Sequence, residues 1–593
     1  MSFKLFKLTK EQEGLWLDYC INPESFVYNA GFFVKIKGDL NIEHFIECDD
    51  IVKNHFSTVG RVRFKILNRV PHQYLGEKAG SKHFEYIDLT KENKSKSSPE
   101  SIFIEKSKIP FKLELEASVR SILIKYSDDT FYYGYIQHHI LTDGVTADLY
   151  CHGLSIAYNN NAEVLKEKFP QRELKEYVRF LNNDSPNINY WKDKLKNVDV
   201  KLDFSRAELN SNKETRGVVN FNFEEQYTSA IKLTARKLRT TPYLFMKTVF
   251  GILLYKYWKQ KEVIINYGFN ARKGDFRNNT GNFVKILPFK FCASDELSIT
   301  ELINIVNIER KKDSKNTDIS YLDIINIYNS NKRNKTRKAN ISFSQTRFEF
   351  DSLNFNNCDV KTIKVLGLDT GEDINFVYDP FSSVFRSAIY YNDNLFNEEF
   401  VSQIIEYYKY LVLTIADNLD TKIKNLEAVT DDEKDLILSA FNNTKTDYPK
   451  EKCIHQLFEE QVEKTPDNVA VVFEEEKLTY RQLNDKSNQL AHYLQKRGVK
   501  PESLVGICVE RSLEMIVGLL GILKAGGAYV PIDPTYPKDR ISYMLEDADS
   551  EIVLTQEHLD LPKTNSEIIY LDTDWDKIEN EPKENVKSEV KSD

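Results

Sequence analysis

The chain has 593 residues, 41% of them hydrophobic and 12% aromatic, and a formal charge of −9. That length exceeds what one compact core supports and predicts several domains, and so small a net charge gives no footprint for a nucleic-acid partner. Cysteines stand singly at 20, 48, 151, 292, 358, 453 and 508 with no CxxC or metal-ligand spacing, which predicts reduced thiols, no metal site and a cytoplasmic location.

The opening MSFKLFKLTKEQEGLW lacks the apolar stretch of a signal peptide. FFVKIKG (32–38) alternates as a half-buried strand, and residues 40–55 carry apolar side chains at helical spacing. Residues 118–139 read as two strands joined at Ser127, Asp128 and Asp129, with a helix after Gly144. A pair of helices is predicted over 225–260, then strands at 262–270, 339–348 and 384–392 and a periodic helix over 396–419. Lysines interrupt the apolar runs 243–258 and 515–530, and neither reaches the roughly 20 residues that cross a bilayer. Both read as buried helices, so no membrane partner is expected.

A polar connector follows, with a short helix over 431–441. From 454 the texture changes: strands at 505–509, 528–532 and 551–555 alternate with helices, as in a βαβ sheet. The last residues, 576–593, are charged and poor in apolar side chains, which predicts disorder. The fold class expected is α/β (α+β).

The strongest local signal is His138-His139-Ile140-Leu141-Thr142-Asp143-Gly144, placed between an apolar strand and a helix. A histidine there suits general-base or proton-positioning work, because its ordinary pKa of about 6.5 lies near neutrality. Adjacent strand residues point to opposite faces, so His138 and His139 cannot both face one cavity. Within a catalytic set of His139, His138, Asp143 and Gly144, the proton work is assigned to His139 and a structural part to His138. Asp143 is expected to hold a guanidinium and fix the loop, and Gly144 to take a turn closed to other residues. The bland alternative is a pair of core histidines, one satisfied by a backbone carbonyl.

This pattern resembles the HHxxxDG motif of the nonribosomal-peptide condensation family. LTKEQEGLWLDYCINPESFVYNAG (8–31) is similar to that family's opening motif, with Gln12, Leu15 and Trp16 in the usual places. NINYWKDKLKN (187–197), GNFVKILPFKF (281–291) and ANISFSQTRF (339–348) resemble further family segments in the same order, so the resemblance spans about residues 4–420. HFSTVGRVRF (55–64) matches its segment only loosely; it places Arg61 where the family's arginine pairs with the motif aspartate, with Arg63 as competitor and a solvated arginine as the plain alternative. Lys285 replaces the usual asparagine, and a further family histidine near 315–325 is not visible.

Residues 455–560 resemble the opening of amino-acid adenylation domains, through LTYRQL and LKAGGAYVPID. Adenylation needs a Gly/Ser/Thr-rich loop whose amides hold ATP phosphates, and neither that loop nor a GxxxxGK[ST] motif occurs here. The resemblance therefore implies a stretch that does not activate amino acids alone, in a chain whose end at Asp593 reads as that of a fragment or a truncated gene product. It implies condensation lobes at 1–180 and 181–425, a linker at 426–453, an adenylation-type region at 454–575 and a tail at 576–593.

The lobes implied are chloramphenicol-acetyltransferase-like, set in a V, within an assembly line for antibiotic-type secondary metabolites. Donor and acceptor carrier proteins would bring thioesters on 4′-phosphopantetheine arms, the chain itself binding no cofactor, and an amide bond would form. The alternatives are an O- or N-acyltransferase of the same superfamily, or a non-catalytic carrier-docking remnant. Epimerisation and heterocyclisation relatives fit less well, the first because adenylation follows here and the second because both histidines are intact.

Overall fold

The computed structural model describes residues 3–78, 83–90, 98–182, 187–196, 216–258, 261–330, 340–369, 371–381, 383–427, 429–587 and 589–592. Asn197, Ala339 and Asp593, at the ends of segments named above, lie outside these residues. The chain divides into two compact units, Met1–Leu438 and Ser439–Asp593.

The first unit is built on two large mixed sheets. One runs in the order Cys358–Leu366, Asn29–Gly38, Thr130–His138, Val119–Ser127, Phe84–Asp88. Its strands bury both faces by alternation. Phe32, Val34, Ile36, Tyr133 and Tyr135 meet the helices Ile42–His55 and Gly144–Asn159, while Phe33, Ile122, Ile124 and Ile136 meet Trp16 and Phe103 on the other side. A buried carboxylate ties the first layer: Asp49 Oδ1 accepts from Ser121 (3.0 Å), Tyr133 (2.6 Å) and Tyr150 (2.6 Å), and Oδ2 lies 2.6 Å from Lys53 Nζ.

The other sheet runs Val284–Cys292, Glu262–Asn270, Ile341–Gln345, Ile374–Asp379, Phe385–Asn392, Arg216–Phe223. The helices Glu225–Lys237, Pro242–Trp258, Ile299–Asp313 and Glu398–Asp417 contribute to its core. Pro242–Trp258 is apolar all round, so it is buried on every side rather than along one stripe. Its Lys247 points its ammonium at the rings of Tyr267 (3.8 Å), Phe289 (4.2 Å) and Tyr243 (5.0 Å).

One strand of the later half does not stay with its neighbours in sequence. Cys358–Leu366 crosses to pair antiparallel with Asn29–Gly38, from Cys358 against Gly38 to Leu366 against Gly31. Gly367 then turns away with φ +77°, where a Cβ would come within 2.6 Å of the Ala30 Cβ, so both the backbone angle and the space require glycine. A split of the lobes at residue 180 is therefore not a split of the sheets.

The short helix foreseen at 431–441 forms as Asp431–Asp435 and a π-helical turn, Leu436–Ala440, and the chain stays exposed from there to Lys452. In the second unit a parallel sheet runs Ala528–Pro531, Leu504–Cys508, Ile552–Thr555, Glu567–Tyr570, with the helices Leu513–Ala525 and Lys538–Asp547 as crossovers. The expected disorder of 576–593 is not what its described residues show. Ile578 is fully buried, Val586 packs on the core, Asn585 Oδ1 accepts from Asn484 and Asn488 at 2.9 Å each, and Lys496 pairs with Glu581 at 2.7 Å. Composition counts apolar residues without saying where they land, and two well-placed ones with a polar seam anchor this segment. Among the described residues no helix is long and apolar enough to cross a membrane, and no group of three or more His, Cys, Asp or Glu is placed to hold a metal.

Candidate active site

The motif sits where the strand Thr130–His138 ends, turns through a short 3-10 helix, His139–Leu141, and enters the helix Gly144–Asn159. Each backbone group in this tight turn needs a partner once buried, and the partners come from several elements. His138 N–H donates to the Ser118 carbonyl (2.9 Å), His139 N–H to the Tyr28 carbonyl (2.8 Å), and Thr142 N–H to the His139 carbonyl (3.4 Å). The carbonyls of Ile140 and Leu141 accept from the side-chain amides of Gln12 (3.3 Å) and Gln137 (3.4 Å).

The two histidines separate as adjacent strand residues must. His138 is buried, between Tyr28 and Phe111, and its Nδ1 accepts from Ile140 N–H at 3.2 Å. An accepting Nδ1 leaves the ring proton on Nε2, and burial, with the neighbouring His139 adding to it, lowers the ring pKa to about 3. His139 as a residue keeps partial exposure. Its Nδ1 is buried with no hydrogen-bond partner, as is the Thr142 hydroxyl. Burial also pushes the His139 pKa down, against an upward pull from Asp143. At neutral pH His139 is an uncharged imidazole, and among the described residues no other residue bonds its Nδ1.

Asp143 does three things at once. It caps the helix Gly144–Asn159 by accepting from Thr146 N–H (2.8 Å), it accepts from Phe283 N–H (2.9 Å), and it takes a two-pronged ion pair from Arg272 at 2.8 Å on each oxygen. Burial is the largest influence on its carboxyl and would raise it, but the Arg272 charge and these hydrogen bonds together hold it below the usual carboxylate value. Arg272 spends its remaining donors on Asn270 Oδ1 (3.2 Å), the Thr146 hydroxyl (2.8 Å) and the carbonyls of Asn279 (2.9 Å) and Gly281 (3.1 Å), and lies over the Phe283 ring at 4.3 Å. The loop between Glu262–Asn270 and Val284–Cys292 is thereby fastened to the motif.

Two expectations are corrected here. Arg61 is not the partner of Asp143: it follows the one-turn helix Ser57–Gly60, reaches the Gly76 carbonyl at 3.5 Å, and its buried Nε has no partner among the described residues. The competitor Arg63 is turned the same way, its guanidinium bonding the carbonyls of Gly60 and Val62 at 3.2 and 3.0 Å. Counting along a loosely matched segment locates a residue in the chain but not the face it occupies, and both arginines brace their own turn. Gly144 does not adopt a backbone closed to other residues; it begins a helix, and a Cβ there would meet only Thr346 Oγ1 at 3.9 Å. What the glycine supplies is open space at an exposed position beside the motif.

Arg272, Thr146 and the Phe283 amide escaped the sequence reading. Phe283 lay inside the GNFVKILPFKF segment, but an amide leaves no mark in a sequence, and nothing in NARKG marks Arg272 as a partner of Asp143. Lys285, the departure in that segment, is buried and stands 4.0 Å from Asp318.

Residues 4–438 match the condensation domain family and residues 458–593 match the AMP-binding enzyme family. Bacitracin synthase 2 of Bacillus licheniformis is 29% identical over 93% of this chain and 21% of its own length. Gramicidin S synthase 2 of Aneurinibacillus migulanus is 30% identical over 96% of the chain and 13% of its own length. The chain thus spans only about a fifth, or less, of these relatives. Among solved structures, a four-domain nonribosomal peptide synthetase bound to AMP and glycine superimposes with a TM-score of 0.78, at 18% identity, over 97% of this chain and 45% of that one. The starter condensation domain of rhizomide synthetase gives 0.60 at 16% identity, over 72% of this chain and 98% of that one. Both likenesses speak to the fold, a mixed α/β architecture.

Proposed function

Because the chain belongs to the condensation domain family, with an AMP-binding segment behind it, we propose that its first unit joins two carrier-borne thioesters through an amide bond at His139. The acceptor's α-amine attacks the donor's thioester carbonyl; the C–N bond forms and the C–S bond breaks. His139 takes the amine proton and returns it to the departing thiolate of the donor's 4′-phosphopantetheine arm. A thioester is already activated and an α-amino group has a pKa near 8, so an imidazole held neutral has enough basicity. The donor and acceptor carriers are the partners in this reading, and the arms they bring are its only cofactor.

The observation that supports it is the partly exposed, uncharged His139, on a turn whose backbone is bonded from several sides and whose carboxylate is locked by Arg272. His138 and Asp143 act through structure: the first sets the turn by accepting from Ile140, the second holds the helix start and the Arg272 loop. Gly144 leaves open space at its own exposed position, and Arg61 supports only its local turn. In a reconstitution with loaded donor and acceptor carriers, His139→Ala is expected to slow amide formation about 100-fold or more. Near-normal product release by that variant would remove His139 from the reaction.

A further inference from the structure

The turn that presents His139 is gripped by a side chain the reaction itself does not use. Gln12, on the helix Lys10–Ile21, is 0% exposed, and its Nε2 donates to the carbonyl of Ile140, the residue after His139, at 3.3 Å. The other Nε2 hydrogen goes to Gln73 Oε1 at 3.3 Å, and Gln12 Oε1 accepts from Gln73 Nε2 (2.7 Å) and from Thr9 N–H (2.8 Å). Gln73, also 0% exposed, gives its second hydrogen to the Lys7 carbonyl at 3.1 Å. Both hydrogens and both lone pairs of the Gln12 amide are therefore engaged. A flipped amide would set its NH2 against the Thr9 N–H, donor against donor, so the hydrogen-bond pattern itself fixes which end faces Ile140.

A saturated, buried amide has no alternative rotamer that keeps its bonds. We propose that Gln12 is a positioning residue for His139: through the Ile140 carbonyl it sets the depth at which the imidazole stands, with Gln73 and Thr9 holding the amide to that task. The proposal rests on reading His139 as the reacting imidazole. The Tyr28 and Ser118 carbonyls hold the turn through its own amides, whereas Gln12 grips it by a side chain, 128 residues away in the chain, from a helix packed on the turn.

Gln12→Glu separates this role from helix capping. It keeps the length of the side chain and an oxygen for Thr9 N–H, but sets an acceptor against the Ile140 carbonyl. Gln12→Met removes the same donor without adding charge, in case the buried carboxylate prevents folding. Asn182→Ala is the control, because Asn182 fastens the start of the same helix through Leu8 (2.9 Å) and Lys10 (3.2 Å) without touching the turn. With loaded carriers, the Gln12 variants are expected to lose about 10- to 100-fold in kcat with KM unchanged, and the Asn182 variant to lose melting temperature only.

Side-chain NMR of labelled histidine, practical with ten histidines in the chain, should show the His139 signals, identified from the spectrum of His139→Ala, moving in the Gln12 variants and staying in place in the Asn182 variant. Parental kcat and parental His139 signals in a folded Gln12 variant would overturn the proposal. So would an Asn182 variant that loses as much kcat as they do. A parent protein that forms no amide would count against the functional reading alone, since the NMR shift still reports the grip of Gln12.

Discussion

Asp143 is buried, charged and bonded four times over, and that combination makes it costly to disturb. Removing Arg272 would leave the carboxylate uncompensated in a dry site, so Arg272→Ala is expected to cost about 3–5 kcal/mol. Arg61→Ala, which touches no part of this pair, should cost less than about 1 kcal/mol. Urea midpoints of the two variants compare them directly. Acid should act in two stages. The His138 pKa is lower folded than unfolded, so below about pH 6.5 the unfolded chain binds a proton that the folded one refuses, and stability falls with pH towards the folded value of about 3. His139 acts in the same direction. Asp143 is also held down, so its contribution is present above the unfolded carboxylate value and is lost as pH falls through the folded one. His138→Asn keeps an acceptor for Ile140 N–H but cannot titrate. It should flatten the stability profile between pH 6 and 4 by about 1.4 kcal/mol per unit, read from urea midpoints across that range. The histidines and the aspartate were legible because their types and spacing are unusual; their partner was not, because an ion pair spanning 129 residues leaves no periodic trace.

Helices and strands with a clean period were the legible part of the fold. Asn29–Gly38, Val119–Ser127, Thr130–His138 and Gly144–Asn159 form over the expected segments, the strands because apolar side chains cover both their faces and the helix because one of its faces meets the sheet. The strand Cys358–Leu366 is not legible from the sequence: its side chains alternate half-buried and exposed as far as Lys364, as suits a sheet edge, and nothing local shows which sheet it joins. The apolar run of Pro242–Trp258 marks a buried helix, but nothing in the run shows what surrounds Lys247. Burial lowers the Lys247 ammonium to about 7, against an upward pull from Asp313, with Lys194 and Arg310 adding to the fall. An unfolded lysine titrates near 10.4, so from about pH 7 to 10 the unfolded chain holds a proton the folded one lacks, and stability rises with pH through that window. Lys247→Met fills the same space without the charge. It is expected to stabilise the first unit by about 1–3 kcal/mol at pH 7 and to remove the alkaline rise, measured by thermal unfolding at pH 7 and 9.5.

At the scale of the whole molecule, the two units are joined by an exposed stretch with little to protect it. Lys445, Lys450 and Lys452 all lie in the exposed run that ends the first unit and opens the second. Limited trypsinolysis should therefore cut at Lys445, Lys450 or Lys452; survival of all three while bonds inside the described helices and strands are cut would contradict that exposure. The break in texture near 454 was visible in composition alone, whereas the anchoring of the last residues was not, since Val586 and Asn585 matter for where they dock and not for their number. The strand exchange has a further consequence for how such a chain is made. During synthesis the strand Asn29–Gly38 keeps one backbone edge unpaired until residue 366 has been made. An unpaired strand edge is a template for neighbouring nascent chains, so the sheet that carries the motif strand is expected to be guarded against such pairing only once Cys358–Leu366 has docked.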